Sequence, residues 1–226
     1  MLIEIFRRNP VDLVFKGGTA LSFFYGSSRF SEDIDLSSPN IDNYAKIDSA
    51  LESFEKRYPY KITNDWENEI EQRSSRFRRY FIVFEGASAG NKIATMIDYS
   101  AGGCVLGPVK KDISNEFYAT KADVMKPEEL VAEKVRAMYT REKGRDLYDL
   151  YYLTVIRNVA VSRSLIFDKF RENPSLNGKK YSFKSFEARI EKLRQLWGDL
   201  AGITSSVERY DFEKVRGEVL AAFRNV

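Results

Sequence analysis

The chain has 226 residues, of which 43% are hydrophobic, 14% aromatic and 31% charged, with a net charge of +3. That excludes a disordered polyelectrolyte, and the length suffices to bury roughly 70% of the unfolded surface in one large domain or two small ones. There is no histidine and one cysteine, Cys104, which removes His-based triads, His-ligated zinc or haem, Cys-rich zinc and an internal disulfide framework, and leaves catalysis to carboxylates, Lys, Arg, Tyr, Ser or metal-bound oxygen.

The start, MLIEIFRRNP, carries Glu4 and no apolar h-region, so no signal peptide is expected. No apolar run approaches the roughly 18 residues of a spanning helix, so a cytoplasmic location without membrane contact is expected. Residues 13–15 read as a short strand stopped by Gly17-Gly18, and 19–25 as a helix with Thr19 as its cap. Residues 29–37 read as a second strand. Ile41, Tyr44, Ala45, Ile47, Leu51 and Phe54 recur at helical spacing and predict a helix over 40–58. Strands are expected at 60–64, 77–85 and 92–99, followed by turns at Gly102-Gly103 and Gly107-Pro108.

From Lys126-Pro127 onward the pattern is helical. Pro127 followed by Glu128 and Glu129 makes a favourable first turn, with acids at the positive end of the dipole. Helices are expected over 127–140, 144–157, 162–172, 183–197 and 207–224. The fold class is therefore α+β: a mixed-sheet domain over 1–125, then an all-α domain over 126–226. The first part holds 16 basic and 18 acidic residues and the second 20 and 15. The small excess of base in the helical part reads as a solvated surface or as a face toward a polyanion.

Lys16-Gly17-Gly18-Thr19 followed by Ser31-Glu32-Asp33-Ile34-Asp35-Leu36 is the strongest constellation. On a strand, Asp33 and Asp35 share a face. Two carboxylates about 4 Å apart repel by about 4 kcal/mol at an effective dielectric of about 20. A proton or a bound cation must offset that, and paired hard oxygens suit magnesium. The Gly-Gly turn lets backbone approach a phosphate, and the helix start beyond it offers free N–H groups. Together these parts form a phosphoryl-transfer geometry. Taken separately, they are also a solvated strand end and a mere turn.

Asp98 closes the apolar run Ile93 to Ile97, where a lone acid is costly to bury. If its strand neighbours that of Asp33, three carboxylates converge, which suits two metals, and Asp98 could also draw the proton from an incoming hydroxyl. A strand-end acid in solvent is the other reading. Lys134 falls in the apolar stripe of its helix with Leu130 and Met138, so it seeks an anion, either a carboxylate or a triphosphate. Asp146 and Asp149 share one helical face and could pair with Lys134 in a helix–helix salt bridge, or orient it against a substrate.

Three decoys fail. Gly86-Ala87-Ser88-Ala89-Gly90 lacks a histidine and a strand–turn–helix context for a nucleophile elbow. Asp33-x-Asp35-x-Ser37 lacks the glycine and bidentate acid of an EF-hand, and Gly178-Lys179 lacks the rest of a P-loop. Arg73, Arg76, Arg78 and Arg79, interleaved with Phe77 and Tyr80, read as an exposed charged hairpin or as a nucleic-acid contact.

FKGGTALSFFYGSSRFSEDIDL resembles the first motif of the AbiEii-type nucleotidyltransferase toxins, a polymerase-β-like family of type IV toxin–antitoxin systems that includes the MenT toxins. EELVAEKVRAMYTREKGRDLYDLYYL resembles the second motif of the same family. The resemblance implies a mixed nucleotidyltransferase sheet followed by a helical domain that brings Lys134 and Asp146 to the active-site cleft. It implies transfer of a nucleotide from an NTP with magnesium (Mg2+) to an acceptor, an RNA such as tRNA at its 3′ end or a protein hydroxyl, and an antitoxin as partner. By position, Gly17, Gly18, Thr19 and Ser31 fall in the nucleotide-binding turn, and Arg29 is a further phosphate contact. Asp33 and Asp35 are the metal pair and Asp98 the third acid; Lys134 meets the triphosphate and Asp146 is the following acid. A non-catalytic module on the same fold and a metal-dependent nuclease are the alternatives.

Overall fold

The computed structural model describes residues 1–40, 42–57, 77–85, 92–202 and 210–226. The strand expected at 60–64, the decoy at 86–90, and Ile41, Arg73 and Arg76 lie outside the described residues. The chain forms two compact units. The first comprises Met1–Phe24 and Glu32–Met125, the second Tyr25–Ser31 and Lys126–Val226.

The first unit is built on a mixed sheet. Helix α1 (Leu2–Phe6) precedes strand β1 (Val14–Lys16), which runs without a spacer into α2 (Gly17–Tyr25). Then come β2 (Ile34–Ser38), α3 (Asn43–Arg57), β3 (Phe77–Glu85), β4 (Lys92–Ala101), β5 (Val109–Ser114) and β6 (Ala119–Val124). The six strands lie in the order β3-β4-β2-β1-β6-β5. The central pairs β2/β4 and β1/β6 are parallel, while β1/β2, β3/β4 and β5/β6 are antiparallel. Leu13, Phe15, Leu21, Leu36, Ile47, Ile82, Ile97 and Tyr99 are fully buried and make the core of this unit. Arg8 fastens α1 to α3 through Ser49 and Ser53, and Glu4 pairs with Arg57.

Two expectations change here. The strand expected over 29–37 starts only at Ile34. Residues 25–31 belong to the second unit instead, where Ser28 meets Tyr148 and Arg29 meets Asp149. The β5–β6 hairpin was not expected at all. Its inward residues include Lys111, so the alternation of Val109, Lys111 and Ile113 against exposed Lys110, Asp112 and Ser114 looks polar throughout. The turn is closed by the Asn115 carboxamide oxygen, which accepts from the N–H groups of Phe117 and Tyr118.

The second unit is helical: α4 (Pro127–Thr140), α5 (Gly144–Tyr151), α6 (Arg163–Arg171), α7 (Phe183–Lys192) and α8 (Phe212–Phe223). Helix α4 coincides with its expected span, with Pro127 in the first turn. Helix α5 continues as a π-helical turn over Tyr152–Ile156. Ser162, Ser182 and Asp211 cap α6, α7 and α8 by accepting backbone N–H groups, each a local signal readable in sequence. Helix α7 stops at Lys192, short of the expected 197, because the chain tightens to a 3-10 path over Arg194–Gly202. No described helix is long and apolar enough to cross a membrane.

Candidate active site

The register of the sheet lines up four charged residues. Lys16 on β1 faces Asp35 on β2, Asp35 faces Asp98 on β4, and Asp98 faces Arg79 on β3. Laterally paired residues project to the same face of a sheet, so Lys16, Asp35, Asp98 and Arg79 form one row across four strands. Asp98 therefore lies beside Asp35, on the strand that neighbours β2. Its two oxygens are engaged by Arg79, with Nε to Oδ1 at 2.7 Å and Nη2 to Oδ2 at 2.8 Å. Sequence reading placed Arg79 in a basic patch and missed this role. Arg78, on the other face of β3, bonds to Asp48 and lies over the Tyr44 ring.

Asp33 stands just before β2, in the loop rather than on the strand. The segment is pinned from two sides. The Thr19 hydroxyl donates to the Asp33 carbonyl, and the Thr95 hydroxyl donates to the Glu32 carbonyl. Thr19 thus lies within the first turn of α2, which begins at Gly17, and does not act as its cap. Asp33 Oδ1 is buried without a hydrogen-bond partner. A buried lone carboxylate oxygen is costly unless something positive or protic meets it.

Gly17 explains why the turn and the acids belong together. Its φ is +78°, and a Cβ there would lie 1.8 Å from Asp35 Oδ2. Only glycine allows both the left-handed backbone and this close approach. The donor set is hard oxygen from Asp33 and Asp35, beside the first N–H groups of α2, which have no intrahelical partner. These residues fit a magnesium ion, which is satisfied by one or two carboxylates plus water and phosphate. Among the described residues, no three acids are arranged around one point.

The second unit holds a different charge assembly. Arg29 reaches Asp149 through two parallel bonds, Nε to Oδ1 at 2.9 Å and Nη2 to Oδ2 at 3.1 Å. Asp149 also meets Lys134 at 2.6 Å, Lys134 meets Asp146 at 3.4 Å, and Asp146 takes a bidentate Arg141 at 2.8 and 2.9 Å. Asp146 and Asp149 are fully buried, and Arg29 and Lys134 nearly so. Burial alone would raise the Asp146 carboxyl, but Lys134 and Arg141 together outweigh it and hold it at about 2. Burial alone would lower Arg29, but the charge and hydrogen bonds of Asp149 outweigh it and raise Arg29 above its ordinary value.

Gly17, Gly18, Thr19, Asp33, Asp35 and Asp98 thus fall in the first unit, and Arg29, Ser31, Lys134 and Asp146 in the second. Lys134 meets two carboxylates, which is the salt-bridge alternative for that residue. Arg29 is turned to Asp149, and its Nη1 donates to the Phe30 carbonyl. Arg141 was missed; its only sequence sign is its place five residues before Asp146.

The six-stranded mixed sheet, with Asp33 and Asp35 following a Gly-Gly turn, shares its fold with solved nucleotidyltransferases. A Helicobacter pylori protein solved as a candidate nucleotidyltransferase superposes with a TM-score of 0.57 at 19% identity, over 99% of this chain and 89% of that one. JHP933 from Helicobacter pylori gives 0.55 at 19% identity, over 99% and 86%. MenT4, a nucleotidyltransferase toxin from Mycobacterium tuberculosis H37Rv, gives 0.54 at 17% identity, over 99% and 89%. The model of the AbiEii nucleotidyl transferase toxins of type IV toxin–antitoxin systems matches residues 8–214, and the chain belongs to that family. No curated protein matches the sequence.

Proposed function

We propose that the protein is a magnesium-dependent nucleotidyltransferase of the EC 2.7.7 type, transferring a nucleoside monophosphate from an NTP to the 3′ end of an RNA, with tRNA as the acceptor and a cognate antitoxin as its partner. The observation that carries this reading is the orphaned Asp33 Oδ1 beside Asp35, which faces the Gly17 turn.

Asp33 and Asp35 would hold the magnesium ion. When bound, it supplies positive charge to the triphosphate as the bond to pyrophosphate breaks. The acceptor hydroxyl gives up its proton to solvent as its oxygen forms the new bond to the α-phosphorus, and the bond to pyrophosphate breaks. Gly17, Gly18 and the first N–H groups of α2 cradle a phosphate, as helix starts do. Thr19 and Thr95 fix the backbone on which Asp33 is carried, so the carboxylate is held in place before substrate arrives. For Ser31 and Arg29 the family pattern supports a nucleotide contact, and for Lys134 and Asp146 a role in neutralising and orienting the triphosphate.

The test is a transfer assay with magnesium, total RNA and each α-labelled NTP in turn, beside Asp33→Ala. Label entering an RNA band with wild type and lost in the variant is expected. Label entering the protein itself would redirect the acceptor to a protein hydroxyl. No label with any NTP would overturn the enzymatic reading.

A further inference from the structure

The row of charges on the sheet face reads cation, anion, anion, cation: Lys16, Asp35, Asp98, Arg79. We propose that Arg79 is a built-in counter-cation for this row, so that the chain binds one divalent cation, through Asp33 and Asp35, rather than the two that three open carboxylates would hold. The inference rests on the reading that Asp33 and Asp35 hold a metal, and it departs from the expectation that Asp98 is a ligand.

Neighbouring strands run about 4.8 Å apart, so Asp35 and Asp98, paired in the β2/β4 ladder, are two like charges side by side. Each disfavours the charge on the other unless a cation or a proton offsets it. Arg79 answers for Asp98, and it does so from the backbone outward: Arg79 and Asp98 are partners in the β3/β4 ladder, so the register itself delivers the guanidinium. Both N–H vectors of its fork are used, at 2.7 and 2.8 Å, the short charge-assisted geometry of a bidentate pair. The pair is partly buried, with 28% and 21% of the two side chains exposed, so solvent screens it less than a surface pair.

A second metal in such a site sits about 3.5–4 Å from the first and needs a further carboxylate to hold it. Asp98 is the candidate on the neighbouring strand, and both its oxygens face Arg79. A second divalent ion would have to displace an arginine that the ladder holds in place. Asp33, by contrast, keeps an oxygen without a partner. The guanidinium therefore supplies, as a fixed part of the protein, positive charge that a second ion would otherwise bring. Arg79 is a positioning residue: it acts through Asp98.

The experiment counts bound Mn2+ per chain by electron paramagnetic resonance, without nucleotide. Wild type is expected to bind one ion, and Asp33→Asn to lose it. Arg79→Gln, which frees Asp98, is expected to bind two, while Arg79→Lys, which keeps the charge, stays at one. Asp98→Asn should leave the single ion's affinity within about threefold. Two ions on wild type, a single ion on Arg79→Gln, or a tenfold loss of affinity in Asp98→Asn would each overturn the inference while leaving the metal site at Asp33 intact. Wild type binding no ion at all would overturn both this inference and the metal-dependent reading.

Discussion

The two units treat buried charge in opposite ways. In the helical unit, Arg29, Asp149, Lys134, Asp146 and Arg141 form a closed chain in which every carboxylate oxygen of Asp146 and Asp149 faces a cation. In the sheet unit, Asp98 is closed off by Arg79, but Asp33 keeps an oxygen with nothing opposite it. A closed assembly is architecture: its charges satisfy one another, and removing one member strands the rest. An open assembly is incomplete until something else arrives. The contrast separates residues whose loss should cost the fold from residues whose loss should cost only the reaction.

The largest effect on stability is expected from Asp149→Ala. It leaves Arg29 and Lys134 as buried cations without their shared partner, and breaking a buried pair in this way costs about 3–5 kcal/mol. Urea unfolding of the variant measures it, and a loss below about 1 kcal/mol would show that the chain is not closed in solution. Gly17→Ala comes next. The new Cβ meets Asp35 Oδ2 and the backbone must hold a positive φ, so a loss of about 2–3 kcal/mol is expected, readable as a drop in the urea midpoint.

Asp146 sharpens the comparison through pH. Its carboxyl falls from an ordinary 3.8 to about 2 in the folded protein. A lowered folded value means that the contribution is full above about pH 4 and is lost as pH falls through 2. The shift corresponds to about 2 kcal/mol. The gap in unfolding free energy between wild type and Asp146→Asn should therefore narrow by about that amount from pH 4 to pH 2, and a constant gap would contradict it. The smallest stability effect is expected from Asp33→Asn, within about 0.5 kcal/mol of wild type, since no protein group opposes its buried oxygen. The same variant should lose transfer by on the order of 10³-fold or more. A large loss of stability would place Asp33 among the structural charges.

Much of this was legible in the sequence because it is local. Pro127 with two following acids fixed the start of α4, and the strand expected over 77–85 coincides with β3. The spacing of Asp33 and Asp35 behind a Gly-Gly turn singled the pair out without any tertiary information, and the structure places both beside that turn. What escaped is what depends on pairing at a distance. Arg79 opposite Asp98 is a matter of register between β3 and β4, and no property of Arg79 in its own segment distinguishes it from Arg78. The strand expected from residue 29 failed for the same reason, since Arg29 answers to an acid 120 positions away. The β5–β6 hairpin was hidden because lysines occupy both of its alternating faces.

One feature of the chain path bears on how the protein is made. Tyr25–Ser31 belongs to the helical unit although both its flanks belong to the sheet unit. A cut at residue 125 would therefore leave the helical piece without Arg29. During synthesis at about 5–20 residues per second, Arg29 emerges roughly 6–24 s before its partner Asp149, 120 residues later. The charge chain of the helical unit therefore cannot close until Asp149 has emerged, whereas every residue of the sheet unit, the last being Met125, is made before it.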